Sequence, residues 1–197
     1  MADESMIRSF LALDPPEAIR REIGKVQERL RKMVRGDLRW VRTESIHLTL
    51  KFFGDIPRNA VPGISAAAGG VAAGFAPFDL SIGGVGVFPD MDRPRVVWLG
   101  MNGEVERLAA FQQELERAIQ AIGFPREERP FRPHLTLARI KSPKGVMGLA
   151  QVLERGGDYA AGRFTAAGLV LFKSDLTPGG AIYSRIAEYP FAGENRG

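Results

Sequence analysis

The sequence contains no cysteine among its 197 residues. That absence excludes disulfide bonds, thiolate nucleophiles and zinc sites that use cysteine ligands. Long apolar runs are absent too: residues 60–78 carry no charge, but they are mostly alanine and glycine and include Pro62 and Pro77. The acidic start, Met1 to Ser5, shows no signal peptide. We therefore expect no membrane contact and a cytoplasmic protein.

Neither sign of charge dominates the composition strongly. There are 27 Lys and Arg against 23 Asp and Glu, which gives a net charge of +4 and a pI of about 9.7. This balance favours a polyanionic partner, such as a nucleic acid or a nucleotide-like substrate, without requiring one. The length and the 45% hydrophobic share suit one well-buried unit. We expect a single two-lobed domain over 1–197 that is a monomer.

Histidine is almost absent, and both copies open the same tetrapeptide. His-Leu-Thr-Leu occurs at 47–50 and again at 134–137. In a strand, side chains alternate between the two faces, so the leucines would be buried and each histidine would lie beside its threonine. The same alternation, continued over 46–53, would place Lys51 on the polar face with His47.

The rest of the chain mixes strand and helix patterns. Alternating or short apolar runs predict strands at 6–13, 40–42, 78–87, 96–100, 164–172 and 181–189, with a turn over 174–180. Apolar residues at three- and four-residue steps predict helices from 17 to about 36, over 108–122 and over 146–153, and a weak helix after Pro57. Similar signals precede both tetrapeptides, which indicates an internal duplication. We predict a bilobal α+β fold, with two pseudo-symmetric lobes, each an antiparallel sheet with flanking helices, around a central cleft.

If the two marked strands face each other, His47, Thr49, His134 and Thr136 share one pocket. A neutral imidazole can take a proton from water, and a protonated one can give a proton to a leaving oxygen. The threonine hydroxyls can donate hydrogen bonds to a phosphoryl group between them. This set predicts in-line phosphodiester chemistry that needs no metal. Because the two motifs are identical, they do not show which histidine is the acid.

The motifs resemble those of the two-histidine phosphoesterases, which carry two His-x-Thr-x motifs about eighty to ninety residues apart. The surroundings are similar to the RNA 2′,3′-cyclic phosphodiesterase branch, historically called bacterial 2′-5′ RNA ligase. The segments that carry this likeness are Arg-Trp-Val-Arg at 39–42, Phe-Arg-Pro at 131–133 and the stretch from Leu171 to Tyr183. The resemblance extends from Arg8 to about Phe191.

The resemblance implies that an RNA 2′,3′-cyclic phosphate end is hydrolysed to a 2′-phosphate, with no cofactor and no metal. By the same resemblance, His47 would donate a proton to the ribose 3′ oxygen and His134 would accept one from water. Thr49 and Thr136 would hold the phosphate. Ligation of a 2′-5′ linkage would be the reverse reaction, since no phosphate-cradling loop for ATP occurs in the sequence.

Other residues are weaker candidates for the site. Arg132 lies two positions before His134, so a continued strand would aim it into the cleft to bind phosphate, although it could equally be a surface residue of the basic run 126–132. Arg42 and Lys51 are weaker candidates of the same kind. The aromatic residues considered as base platforms, for each of which a place in the core is the commoner role, are Phe53, Phe88 and Tyr183.

Two further functions remain open from the residues alone. The chain could act on another cyclic phosphate, such as an ADP-ribose or nucleotide 2′,3′-cyclic species. It could also be a non-catalytic module that binds RNA ends. A zinc hydrolase is disfavoured, because no His-Glu-x-x-His pattern occurs and the acidic residues nearest His47 in the sequence, Glu44 and Asp55, do not form one.

Overall fold

The computed structural model describes residues 5–178 and 180–194. Four α-helices lie in these segments: α1 (Glu17–Met33), α2 (Val61–Ala73), α3 (Val105–Ala121) and α4 (Leu149–Glu154). The strands are β1 (Met6–Leu13), β2 (Leu38–Trp40), β3 (Leu48–Pro57), β4 (Phe78–Phe88), β5 (Val96–Gly103), β6 (His134–Ile140), β7 (Ala160–Ala166), β8 (Gly168–Thr177) and β9 (Gly180–Pro190). None of the four helices is long and apolar enough to cross a membrane.

The strands form two antiparallel sheets, one in each lobe. The first sheet has the order β3-β1-β8-β9, and the second has the order β2-β6-β5-β4-β7. Helices α2 and α3 pack with the first sheet, whereas α1 and α4 pack with the second. The predicted bilobal α+β architecture, with an antiparallel sheet and helices in each lobe, is confirmed.

The two lobes do not correspond to the two halves of the sequence. Helix α1 precedes the first motif, yet its buried stripe covers the sheet that contains the second motif. Helix α3 lies in the second half, yet its side chains contact β3, which carries the first motif. Each half of the chain therefore buries apolar surface in both lobes, and each sheet depends on a helix from the opposite half.

The chain crosses between the sheets where a single strand was predicted. Residues 164–172 belong to two strands, since β7 ends at Ala166 in the second sheet and β8 starts at Gly168 in the first. Gly168 allows a close backbone approach at the crossing, because an added Cβ would lie 2.9 Å from the Tyr189 carbonyl oxygen. The predicted turn over 174–180 is also mostly strand, because β8 continues to Thr177 and β9 resumes at Gly180.

Lys51 lies in the core and not on the cleft face. Its side chain is 5% exposed, and its Nζ lies 2.9 Å from the Glu116 carboxylate, which is 4% exposed. The same Nζ donates to the Pro125 carbonyl oxygen at 2.6 Å. The candidate phosphate contact at Lys51 is therefore wrong, because its charge is neutralised inside the protein. The buried pair instead ties β3 to α3 and to the segment that leads to β6.

The buried pair predicts an asymmetric response to substitution. Lys51→Met leaves the Glu116 carboxylate buried without its partner, so the free energy of unfolding should fall by about 3–5 kcal/mol. The double variant Lys51→Met/Glu116→Leu contains no buried charge, and it should be more stable than the single variant. Urea denaturation followed by circular dichroism measures both.

The matched control for this pair is Lys25→Met, which removes a lysine from an exposed pair with Glu22. Its unfolding free energy should change by less than about 1 kcal/mol. A Lys51→Met protein as stable as this control would show that the buried pair does not hold β3 to α3.

Candidate active site

Both histidines lie at the start of a strand and reach the cleft between the sheets. His134 is the first residue of β6, and His47 immediately precedes β3. These two strands belong to different sheets but approach each other, with Cα atoms within 8 Å. One side chain, Arg139, acts electrostatically on both imidazoles. The structure thus brings the two histidines to one site.

The two imidazole rings are oriented in the same way by the backbone. The Nδ1 of His47 lies 2.9 Å from the carbonyl oxygen of Ser45, and the Nδ1 of His134 lies 2.7 Å from that of Arg132. A carbonyl oxygen only accepts hydrogen bonds, so in both rings Nδ1 carries the proton and donates it. In the neutral rings, Nε2 therefore keeps its lone pair for chemistry. The two histidines have the same tautomer, so the tautomers do not show which ring gives a proton in the reaction and which one takes it.

Aromatic side chains support the His47 ring. It stacks on Phe10 with ring centroids 4.5 Å apart, and the edge of Tyr183 contacts it at 5.0 Å. Phe172 extends this contact, stacking on Phe10 at 5.2 Å. Tyr183, considered as a base platform, thus contacts the histidine itself.

His134 has an equivalent aromatic wall in the second sheet. Phe88 meets it edge-on at 4.9 Å, and Trp98 lies 6.4 Å away. Gly86 leaves room for the indole, because an added Cβ would lie 2.1 Å from the Trp98 ring. Phe88 therefore supports His134, while Phe53, the remaining candidate platform, packs edge-on against Phe124 at 5.1 Å.

Both motifs contain a β-bulge at the same position. Along β3, residues Thr49 and Lys51 pair with consecutive residues of β1, so Leu50 is extra. Along β6, Thr136 and Ala138 pair with consecutive residues of β5, so Leu137 is extra. A bulge shifts the alternation of the side chains that follow it. The predicted alternation over 46–53 is therefore wrong from Lys51 onwards, and Lys51 points into the core.

The shifted alternation brings two unpredicted side chains to the cleft. Arg139 follows the bulge in β6, and Phe52 is its equivalent in β3. Phe52 is 50% exposed and pairs with Phe10, whose ring supports His47. Arg139 is exposed and makes no ion pair with the part of the chain that the structure describes. The signal was present in the sequence, because Leu137 and Ala138 are consecutive apolar residues and the polar face resumes at Arg139.

Two buried glutamines bind the carbonyl groups at these bulges. Gln112 of α3 donates to the Leu50 carbonyl oxygen at 3.4 Å. Gln27 of α1 donates to the Leu137 carbonyl oxygen at 3.0 Å and to that of Val41 at 2.9 Å. Their exposures are only 8% and 2%. Each bulge is thus held by a helix from the opposite half of the chain, which the sequence patterns did not predict.

A sequence signal for these glutamines exists in hindsight. Each one interrupts the apolar stripe of its helix with the same spacing, four residues after one apolar residue and three before a leucine. The two sets are Ile23, Gln27 and Leu30 in α1, and Leu108, Gln112 and Leu115 in α3. A polar residue on a buried helix face needs a hydrogen-bond partner, so this pattern predicts that each glutamine binds a polar group in the core.

Burial makes both imidazoles hard to protonate. Desolvation lowers the pKa of His47 to about 4, against the hydrogen bond to Ser45, while the positive charges of Arg139 and Arg20 lower it further. Burial and Arg139 also lower the pKa of His134, opposed by its bond to the Arg132 carbonyl. Near pH 7 both rings are therefore neutral in the unliganded protein.

The remaining predicted residues differ in how the structure places them. Thr49 and Thr136 lie on the cleft face, and neither hydroxyl is hydrogen-bonded within residues 5–178 and 180–194. Arg132 is exposed and precedes β6, so the continued strand that would aim its side chain into the cleft is not there. Its carbonyl, however, orients His134. Arg42 donates to the Ala181 carbonyl oxygen at 3.1 Å.

The arrangement suits acid–base chemistry on an anion. Two neutral imidazoles, two threonine hydroxyls and one guanidinium lie on or beside the neighbouring strands β3 and β6. Such a set can hold a phosphoryl group and move protons on either side of it. Across the described residues, no three side chains of the histidine, aspartate and glutamate type lie close enough together to hold a metal ion.

Comparison with known proteins gives consistent matches over nearly the whole chain. The family described as LigT like Phosphoesterase matches twice, over residues 13–98 and 99–183. An RNA 2′,3′-cyclic phosphodiesterase of Methanothermobacter thermautotrophicus is 35% identical over 178 residues, 90% of this chain and 95% of that protein. One of the same name from Aeropyrum pernix is 34% identical, over 81% of this chain and 89% of its own. The crystal structure of TT0787 from Thermus thermophilus superposes with a TM-score of 0.76 at 28% identity, covering 96% of this chain and 100% of that one.

The bulge contacts predict that the glutamines contribute to stability. Gln27→Leu keeps the volume but removes both donors to the carbonyl groups of Val41 and Leu137, so the free energy of unfolding should fall by about 1–3 kcal/mol. Gln112→Leu should act in the same direction. The matched control is Gln113→Leu, an exposed neighbour on α3 whose substitution should change stability by less than about 0.5 kcal/mol. Equal stabilities of the Gln27 and Gln113 variants in urea would contradict this role.

Proposed function

The chain belongs to the LigT-like phosphoesterase family, and on that premise we propose that it is an RNA 2′,3′-cyclic phosphodiesterase. It hydrolyses the cyclic phosphate at an RNA 3′ end to a 2′-phosphomonoester. The observation that carries the proposal is the pair of equivalent His-Thr units facing one cleft, each with Nε2 of its histidine available. The identity to enzymes of that name, which extends over most of the chain, supports the choice of substrate.

In this mechanism the phosphate is held before any proton moves. The hydroxyls of Thr49 and Thr136 donate to its non-bridging oxygens, and Arg139 adds a charge-assisted contact. Arg132, in the loop before His134, is a further cation for the same phosphate. The exposed ring of Phe52, with the Arg8 guanidinium 4.7 Å from its centroid, offers an aromatic surface for the adjoining base.

The chemical step is an in-line displacement at phosphorus. His134 Nε2 takes a proton from water as the water oxygen forms a bond to phosphorus. The bond from phosphorus to the ribose 3′ oxygen breaks, and its electron pair stays on that oxygen. His47 Nε2 supplies the proton that completes the 3′ hydroxyl. The product keeps the phosphate on the 2′ oxygen.

The directions of the two pKa shifts are consistent with His134 as proton acceptor and His47 as proton donor once substrate is bound. His134 is neutral near pH 7 and can act as the acceptor. His47 must gain a proton, and the low pKa that burial gives it makes its protonated form a strong donor. The negative phosphate favours that protonated form by placing an opposite charge beside it. The assignment of donor and acceptor rests on the family resemblance.

Neither a metal nor a cofactor takes part in the proposed step. One chain supplies both His-Thr units, because each lobe contributes one, so the protein is proposed to work as a monomer. We propose that it acts on RNA in the cytoplasm. With an RNA 5′ hydroxyl in place of water, the same step would form a bond from that oxygen to phosphorus, release the ribose 3′ oxygen and leave a 2′-5′ linkage without ATP.

The histidine requirement is tested with an RNA oligonucleotide that ends in a 2′,3′-cyclic phosphate. His47→Ala and His134→Ala should each lower kcat by at least about 100-fold, because each removes one proton transfer. Lys25→Met, an exposed change on α1, should leave kcat unchanged. Each protein is assayed both without and with EDTA. Full activity in either histidine variant, or loss of wild-type activity on adding EDTA, would count against the mechanism.

The pH dependence of kcat/KM should be bell-shaped with an acidic optimum. Activity requires protonated His47, which is lost above its pKa, and neutral His134, which is lost below its pKa. Both pKa values lie below the ordinary histidine value of 6.5, so both limbs and the optimum should lie below pH 6.5. Arg139→Met removes a positive charge near both rings, so it should move the limbs to higher pH. An optimum at or above pH 8 would contradict the assignment.

A further inference from the structure

Two arginines stand directly opposite each other at the edge of the second sheet. Arg39 of β2 pairs with Arg139 of β6 in the antiparallel register. Like charges at directly opposed positions destabilise a sheet. An anion bound near the two guanidinium groups would offset this repulsion.

Arg39 lies on the cleft face, as Arg139 does. Its neighbours in β2, Leu38 and Trp40, pair with the buried residues Ile140 and Ala138 and pack against the core. Since strand side chains alternate, the residue between them faces the opposite way, towards the cleft. The Arg39 side chain is exposed there, one strand beyond Arg139.

No carboxylate of the described residues is paired with Arg39. The acidic side chains on neighbouring segments are already engaged: Glu44 with Arg42, Asp37 with Lys141 and Asp175 with Lys173. The hydrogen bond of Arg39 goes from Nη2 to the Pro178 carbonyl oxygen, at 3.4 Å. A guanidinium has five N–H donors, so most of those on Arg39 are available to a ligand.

The contact with Pro178 also links Arg39 to a hairpin of the other sheet. Pro178 belongs to the end of the β8–β9 hairpin, which starts in the first sheet and here reaches the edge strand of the second. Arg42 donates to Ala181 in the same hairpin. Two arginines thus join the hairpin to β2 and the residues after it, and the exposed Arg39 lies one strand beyond Arg139.

We propose that Arg39 binds the phosphodiester that precedes the terminal nucleotide of the RNA substrate. This inference rests on the proposed function, because it takes the cyclic phosphate to lie at His47, His134 and Arg139. A second phosphate one nucleotide away would then meet the next cation towards the sheet edge. The contact makes the enzyme prefer an RNA end to a cyclic mononucleotide, which lacks that phosphodiester.

The test compares two substrates in the same protein. One is a dinucleotide ending in a 2′,3′-cyclic phosphate, and the other is the corresponding cyclic mononucleotide. Arg39→Met should lower kcat/KM for the dinucleotide by about 10- to 100-fold, the loss expected for one charge-assisted hydrogen bond. The variant should hydrolyse the mononucleotide with the same kcat/KM as the wild-type protein. That result would also show that the variant is folded.

A neutral linkage in the substrate provides the complementary test. With a methylphosphonate at the internal position of the dinucleotide, Arg39→Met and wild type should have the same kcat/KM, since the partner charge is absent. For a longer RNA, the slope of log KM against log salt should fall in magnitude by about 0.7 in the variant. The control is Arg163→Met, which removes an exposed arginine from β7 at the other edge of the same sheet.

Three results would overturn the inference. Equal losses of kcat/KM on the two cyclic substrates would mean that Arg39 contacts the reacting phosphate or stabilises the fold. No loss on the dinucleotide, or the same loss with Arg163→Met, would show that Arg39 makes no specific contact. These outcomes are distinct from failure of the proposed function, in which the wild-type protein would hydrolyse neither cyclic phosphate.

Discussion

The bulge at the second leucine of each His-Leu-Thr-Leu motif determines which side chains reach the cleft. Before the bulge, simple alternation sets histidine and threonine on one face and leucine on the other. After it, the alternation is inverted, so Phe52 and Arg139 join the cleft while Lys51 and Ala138 are buried. A straight strand in either place would exchange these positions. The composition of the site therefore depends on two extra residues, Leu50 and Leu137.

Holding these bulges explains why the halves of the chain are interleaved. A bulge disrupts the ladder locally, and its carbonyl group is bound here by a buried glutamine from the helix of the opposite half. Gln27 also binds Val41 and accepts from Thr43, close to the segment that precedes His47. Gln112 joins the Lys51–Glu116 pair, which reaches the segment before β6. The two motifs are thus positioned relative to each other by contacts that cross between the halves.

Much of this could be predicted from the sequence, because alternation and duplication are local patterns. They place His47, Thr49, His134 and Thr136 on shared faces, and the structure puts these faces on one cleft. The bulges break alternation without glycine or proline to mark them, so the burial of Lys51 and the exposure of Arg139 were missed. The ring supports, such as Phe10 on His47, depend on strand pairing across long sequence separations. The crossing from the second sheet to the first near Ala167 is marked only by Gly168, and one glycine within an apolar run does not distinguish a crossing from a continuous strand.

In the proposed mechanism two equivalent histidines act on opposite sides of one phosphate, one as acid and one as base, with the ribose 3′ oxygen as the leaving group. The identity of the product is the decisive observation for this scheme. Wild-type protein is incubated with an oligonucleotide 2′,3′-cyclic phosphate, and the product is analysed by ³¹P NMR. The mechanism predicts only the 2′-phosphomonoester, because a fixed donor protonates a single leaving oxygen. A 3′-phosphate, or a mixture of the two isomers, would refute it.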